Sequence, residues 1–371
     1  MITAATTTFV GTGSLVAQEA VSEFRQHPFL EFDIEGNRTA DVSLADVDSD
    51  GDLDAIVANG RHWAQQDFVY LNIGNGKLLE ALPLGRQKSA SYTVQTGDLD
   101  GDGDLDAVVT RDMLPTLSFA NDGYGRYSLV GEVPQSAGPA RSAALIDADG
   151  DGGLDLAVVT RRAPDRLYRG DGKGGFYEGT DLPDKGYGST GIASGDLDSD
   201  GDVDLVIARR DGAASVIMQN DGKGTFHSIL LTGSEGDHRK VALADMNGDG
   251  KLDIVLVSTD KLHLIYQQDS NSKFQKPRSF GEKGEAVQAL AAGDIDQDGD
   301  IDLVAGADGP NIFYVNDGTG QFARQIIPSE ADTYGVALGD MNGDGLLDIV
   351  FANSGAANEV VLSRKPSQSK P

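Results

Sequence analysis

The sequence predicts an all-β fold, a seven-bladed propeller of four-stranded antiparallel blades. Three observations carry this. One nine-residue aspartate-rich pattern recurs seven times at a period near 50 residues. Each copy is flanked by the same order of short apolar runs and Gly/Asn/Asp turns. The two ends of the chain are complementary, with a spare strand at the N-terminus and a missing one at the C-terminus. A period of this length is the mark of a propeller or a solenoid.

The pattern reads DVDSDGDLD from Asp46, DLDGDGDLD from Asp98, DADGDGGLD from Asp147, DLDSDGDVD from Asp196, DMNGDGKLD from Asp245, DIDQDGDID from Asp294 and DMNGDGLLD from Asp340. Start-to-start spacings are 52, 49, 49, 49, 49 and 46 residues. Before each loop stands a run of small and apolar residues such as VSLAD, GIASGD or GVALGD. Small side chains suit an innermost strand, because strands crowd around a propeller axis. After each loop comes a nearly continuous apolar run, AIVAN, AVVT, LAVVT, LVIA, IVLVS, LVAG or IVFAN. Such β-branched runs predict strands buried on both faces. A third strand follows (FVYLN, ASVIMQN, LHLIYQQ, NIFYVN), then a Gly/Asn/Asp turn and an aromatic residue that opens a fourth strand. These turns close hairpins, and four short antiparallel strands make one blade.

The seventh repeat ends after Glu359–Ser363 without a fourth strand, whereas Phe29–Gly36 is a spare strand ahead of the first repeat. Phe29–Gly36 is therefore expected to complete the last blade, which closes the ring and protects its sheet edges. The expected organisation is an N-terminal segment (1–28) outside the repeat, the propeller (29–365) and a polar tail (366–371) expected to be disordered.

The formal charge is −29, from 59 acidic and 30 basic residues, and there is no cysteine. Disulfides and thiolate metal sites are excluded. Nucleic acid, which needs basic surface, is excluded as a partner. No apolar run approaches the roughly 18 residues of a spanning helix. The N-terminus lacks a basic n-region, so no signal peptide is visible, although one trimmed from the chain would leave no trace. A monomer is the default.

The loops predict a cation site. Calcium takes six to eight oxygen ligands on a flexible backbone. Loop positions 1, 3, 5 and 9 offer side chains, position 7 offers a carbonyl, and Gly at position 6 allows the sharp turn. The candidate ligands are Asp46, Asp48, Asp50, Asp52 and Asp54 in the first loop, and Asp98, Asp100, Asp102, Asp104 and Asp106 in the second. The third offers Asp147, Asp149, Asp151, Gly153 and Asp155, and the fourth Asp196, Asp198, Asp200, Asp202 and Asp204. The fifth offers Asp245, Asn247, Asp249, Lys251 and Asp253, the sixth Asp294, Asp296, Asp298, Asp300 and Asp302, and the seventh Asp340, Asn342, Asp344, Leu346 and Asp348. About seven structural Ca²⁺ are expected. An EF-hand is rejected, because position 9 is Asp and the flanks are strands. Magnesium is disfavoured by its tighter octahedron. The loops DxDxDGxxD, with their flanking strands and upstream Phe, resemble FG-GAP (VCBS-type) repeats, the repeats of integrin α-chain propellers and of many bacterial secreted proteins. The resemblance covers roughly residues 29–363. It implies the propeller and its calcium, but no particular role, since such propellers include adhesion proteins, lectins and polysaccharide-cleaving enzymes.

Opposite the loops, the start of each first strand and the end of each second strand share one face. Nine of the 17 arginines fall there: Arg38, Arg61, Arg111, Arg141, Arg161, Arg162, Arg209, Arg210 and Arg239. His62, Trp63, Tyr92, Tyr187, His238 and Tyr334 lie near them. An arginine arc matches the carboxylate or sulfate oxygens of an acidic glycan, and Trp63 or Tyr187 offers a ring for a sugar. The sequence thus predicts a calcium-stabilised extracellular or periplasmic scaffold binding a glycan, acidic or otherwise, or a protein. The alternative is a propeller-type polysaccharide lyase, with His and Tyr as acid and base. His27, His227 and His263 show no partner in the sequence.

Overall fold

A computed structural model describes residue 24 and residues 30–183, 188–269, 273–327 and 331–364. They form seven four-stranded antiparallel sheets with no α-helix among them. In the first blade the strands are Thr39–Ala45, Asp54–Asn59, Phe68–Asn72 and Leu78–Pro83, paired in that order. Blades two to six repeat this order, and each inner strand packs against the inner strands of both neighbours, so that the seventh meets the first.

The apolar run after each loop is the buried heart of its blade. All six residues of Asp54–Asn59, Asp204–Arg209 and Asp302–Ala307 are buried. Side chains from its two faces enter the clusters between adjacent blades, as Ile56 and Ala58 do with Val94 and Ala107, or Ala157 and Val159 with Leu205 and Ile207. The small residues of the inner strands are required by contact. A Cβ on Gly191 would lie 2.8 Å from the Arg239 carbonyl oxygen, and one on Gly335 2.8 Å from the Asp41 Cα. Any larger side chain there would push neighbouring blades apart.

Closure by the N-terminal segment holds. The last blade consists of Asp332–Gly339, Asp348–Ser354 and Asn358–Val361, and its outer strand is Glu31–Phe32, with Glu31 opposite Glu359 and Phe32 opposite Asn358. The strand is shorter than expected from Phe29–Gly36. Asp33 and Gly36 take positive φ (51° and 67°), and the Gly36 amide bonds back to the Asp33 carbonyl, so the chain turns immediately after Phe32. Phe29 lies outside the described residues. From the segment expected to stand outside the repeat, Phe24 sets its ring edge-on to Phe313 at 5.4 Å. No helix among the described residues is long and apolar enough to cross a membrane.

Candidate functional site

Each aspartate loop joins an inner strand to the buried second strand. Position 1 folds the loop: Asp46 accepts the amides of Asp50 (3.2 Å) and Gly51 (3.1 Å), and Asp98 accepts those of Gly101 and Gly103. Position 9 ties the loop to its blade. One oxygen of Asp54 accepts the amide of Val47 at position 2, and the other accepts that of Asn72 where the third strand ends. The same double contact recurs at Asp106, Asp155, Asp204, Asp253, Asp302 and Asp348.

Besides accepting these amides, carboxylate oxygens face one another across five of the loops. One oxygen from each member of Asp46–Asp48–Asp50, Asp98–Asp100–Asp106, Asp147–Asp149–Asp151, Asp196–Asp198–Asp204 and Asp294–Asp296–Asp298 falls within 4.8 Å of the others, close enough to hold a metal ion. In the loops from Asp245 and Asp340, position 3 is amide rather than carboxylate, and Asn247 and Asn342 accept the amides of Asp249 and Asp344 at 3.0 Å. Burial pushes the position 9 carboxyls of Asp54, Asp204, Asp253 and Asp348 up to about 6 and that of Asp302 to about 7. The neighbouring aspartates push in the same direction. An all-oxygen, charged donor set suits a hard divalent cation.

At the opposite end of the axis is a mouth of about 110 Å³, lined by Ala40, Arg61, His62, Tyr92, Arg141, Arg161, Thr190, Arg210, Arg239, Lys240, Gln288 and Tyr334. Below it the channel widens to about 300 Å³ between the inner strands. Five of the expected arginines therefore meet. The Arg61 guanidinium lies 3.4 Å over the Tyr334 ring, and that of Arg141 4.2 Å over Tyr92. The Tyr92 hydroxyl is 3.0 Å from His62 Nδ1. Burial, then the Arg61 and Arg141 charges, lower the His62 pKa, so its ring is neutral near pH 7.

Carboxylates stand behind most of these cations. Arg141 pairs with Asp112 (2.9 Å), Arg210 with Asp211 (3.1 Å) and Asp237 (3.5 Å), Arg239 with Asp237 (3.0 Å), Arg161 with Asp211 (3.8 Å) and Lys240 with Asp41 (3.9 Å). Six cations thus face four carboxylates and the mouth keeps a positive excess. Arg61 pairs with no carboxylate among the described residues, and the buried Arg161 Nε has no hydrogen-bond partner there. The sequence reading missed Lys240, Gln288 and Thr190 as well as the partners Asp112, Asp211 and Asp237. A signal for the last three existed, since each stands within two residues of an arginine.

Other expected members lie elsewhere. Arg111 and Arg209 end their second strands on the blade interior, each 2 % exposed, instead of lining the mouth. The Arg111 Nε–H donates to the Pro115 carbonyl, and the charges of Arg111 and Arg209 face the buried Asp67 and Asp165. Arg209 is the last residue of a second strand buried on both faces, whereas Arg210 lies just beyond the strand end and lines the mouth. His238 is 1 % exposed and does not line the mouth. Trp63 is exposed on the rim under the Arg38 guanidinium, and Arg162 is also exposed. Tyr187 lies outside the described residues. His263, without a visible partner in the sequence, contacts Glu285 at 3.1 Å. A larger groove of about 400 Å³ opens on the outside between blades four and five, against Ile217, Ile229, Leu231, Tyr266 and Phe274. It is mostly apolar, whereas the mouth concentrates charge.

The FG-GAP-like repeat family matches the chain over residues 46–109, 147–207, 196–256, 245–305 and 294–351. No curated protein sequence matches. Among solved structures, the chain is similar to an Agrocybe aegerita lectin described as recognising non-reducing terminal N-acetylglucosamine (18 % identity, 86 % of each chain, TM-score 0.58). It is also similar to BBS1N in complex with ARL6DN (12 % identity, 90 % of this chain and 94 % of that one, TM-score 0.60). A third likeness is to YCF48 bound to D1 peptide (13 % identity, 95 % and 98 %, TM-score 0.58). At these identities the likeness carries the fold alone.

Proposed function

Because this chain belongs to the FG-GAP-like repeat family, we propose that it is a calcium-stabilised binding scaffold that takes an acidic glycan at the arginine mouth. The observation that carries the reading is the meeting of Arg61, Arg141, Arg161, Arg210 and Arg239 in one small opening on a chain of formal charge −29. Long-range repulsion from the acidic body works against any anion, so binding rests on short contacts to guanidinium forks. A mouth of about 110 Å³ admits one charged group, not a continuous chain. The recognised unit is therefore a terminal or branching uronate or sulfate. The lectin and peptide-bound neighbours agree with a propeller used for binding.

Calcium belongs to the opposite end, where the side chains at positions 1, 3, 5 and 9 of an aspartate loop would hold it with the position 7 carbonyl. It would neutralise carboxylates that the fold forces together and so stiffen the turns between the first and second strands. Loops of this kind fill at extracellular calcium levels and stay largely empty in cytosol, which favours an extracellular or periplasmic setting. A glycan array probed in calcium tests the reading: acidic termini should be retained and neutral glycans lost, and retention of neutral glycans alone would refute it. A peptide carboxylate at the mouth would make the ligand a protein.

The 3.0 Å contact between Tyr92 and His62 favours one second reading. A phenol and a neutral imidazole beside arginines form an acid–base pair for β-elimination on a uronate. Bound glycans incubated with the protein and assayed for unsaturated ends decide between scaffold and lyase.

A further inference from the structure

The third aspartate loop differs from the other six. Arg169 follows the third strand of its blade, and its Nη1 lies 2.6 Å from the Asp149 carboxylate and 2.6 Å from that of Asp155, loop positions 3 and 9. Its other terminal nitrogen donates to the Lys223 carbonyl in the turn of the fourth blade at 2.9 Å. The strand registers show that this position faces the loop in every blade. Tyr168 pairs with Leu156 as Met218 pairs with Leu205 and Tyr266 with Ile254, which makes Gln219 and Gln267 the counterparts of Arg169. The Gln219 amide donates to Asp198 and the Gln267 amide to Asp253, again loop positions 3 and 9. By the same registers the remaining blades carry Leu71, Ala120, Val315 and Leu362, which bring no charge. Among the described residues, only the third loop has its carboxylates paired with a guanidinium from outside the loop, since Lys251 in the fifth loop turns its Nζ to the Asp269 carbonyl at 2.7 Å.

We propose that Arg169 is the resident cation of the third loop, so that this loop takes no calcium while the other six do. The inference rests on the calcium reading of the loops. Asp147, Asp149 and Asp151 still bring oxygens within 4.8 Å of one another, but an ion there must displace a guanidinium from two carboxylates and from a carbonyl. A guanidinium is charged at every accessible pH and is tethered to the site, so it competes at high effective concentration. It also spans blades. The third blade has Gly170 where five other blades have Asn or Gln and the seventh has Ser363, and Arg169 supplies a polar tie between its loop and the fourth blade.

The test is calcium content of the full chain by atomic emission after dialysis against calcium, with the Arg169→Gln and Arg169→Lys variants alongside. Six equivalents are expected for the parent, seven for Arg169→Gln, which copies blades four and five, and six for Arg169→Lys, which keeps the charge. Circular dichroism of each variant confirms folding. Seven equivalents in the parent would overturn the proposal, as would six in a folded Arg169→Gln variant. No calcium in any of them would overturn it together with the calcium reading, and that result cannot be confused with seven.

Discussion

The Asn220 side-chain amide at the end of the fourth blade's third strand donates to the carbonyl of Ala148 in the third blade's aspartate loop at 2.9 Å, across 72 residues of sequence. The same nitrogen donates to Val203 in its own loop. Asn72 bridges Met341 and Leu53 in this way, Gln268 bridges Leu197 and Leu252, and Asn316 bridges Met246 and Ile301. Each buried amide locks the turn of one blade to the loop of the preceding one, so the loops that would hold metal also hold the ring together. Replacing Asn316 by Ala leaves two loop carbonyls without this donor and should cost about 2–4 kcal/mol, taking about 1–2 per lost partner. Urea unfolding measures this, and an unchanged midpoint would refute the latch.

Glu285 is a second stabilising centre and predicts acid sensitivity. Burial raises its carboxyl, but contacts from His263, Tyr314, the Glu282 amide and Arg324 outweigh burial and hold it at about 2 against an ordinary 4.5. A folded pKa below the unfolded one gives stability that is present above 4.5 and lost as pH falls toward 2. The contribution is about 3 kcal/mol at one pKa unit per 1.36 kcal/mol. In Glu285→Gln, stability measured from pH 5 to pH 2 should lose that component of its slope. An identical acid profile in both proteins would exclude it.

Ring closure is tested at Phe32. Its side chain is 3 % exposed and sits edge-on to Tyr70 at 5.1 Å, so a two-residue strand is anchored by one ring. Phe32→Ala should cost about 3–5 kcal/mol. Removal of residues 1–36 should abolish cooperative unfolding, whereas removal of residues 366–371 should be silent. A chain starting at Asn37 that melts like the parent would show that the strand does not close the ring.

The architecture was legible because its signals repeat. Seven in-phase loops, each followed by a short apolar run of four or five residues, point to seven equivalent blades. The closing strand was legible as a missing element, but its length was not, because the turn at Asp33 depends on a left-handed conformation in a residue that also occurs in extended segments. The mouth was legible only in part. Topology brings strand ends to a face but does not fix the residue at which the buried strand gives way to the mouth, so Arg210, one residue beyond its strand, reached the mouth and Arg209, the last strand residue, did not. The His263–Glu285 contact joins separate blade elements, and Arg169 acts through a register that no local motif records.

Metal removal should weaken the whole fold. With free calcium at about ten times Kd, each filled loop contributes roughly 1.4 kcal/mol, so six loops reach about 8 kcal/mol, comparable with a domain's total stability. Chelation should therefore lower Tm strongly. Asp98→Ala should remove one equivalent of calcium and leave glycan binding at the far end intact. A Tm indifferent to chelator would refute the metal's structural role.

The mouth is tested by contrasting arginines of different surroundings. Arg61 has no carboxylate partner among the described residues and Arg161 only a distant one at 3.8 Å, so these two are the most available to an anion. Arg209 is buried and faces Asp165, whose carboxyl burial pushes up to about 6 even with that charge nearby. Each charged hydrogen-bonded contact contributes about 1.5–3 kcal/mol. The Arg61→Ala, Arg161→Ala double variant should then bind an acidic glycan more than a hundredfold more weakly at unchanged Tm. Arg209→Ala should do the reverse, lowering Tm by exposing the Asp165 charge to an uncompensated interior while changing affinity little. Added salt screens the repulsive acidic body as well as the attractive mouth, so binding should fall less steeply with ionic strength than at a uniformly basic surface. Equal loss of affinity in Arg209→Ala and the double variant, with both still folded, would move the ligand away from the mouth.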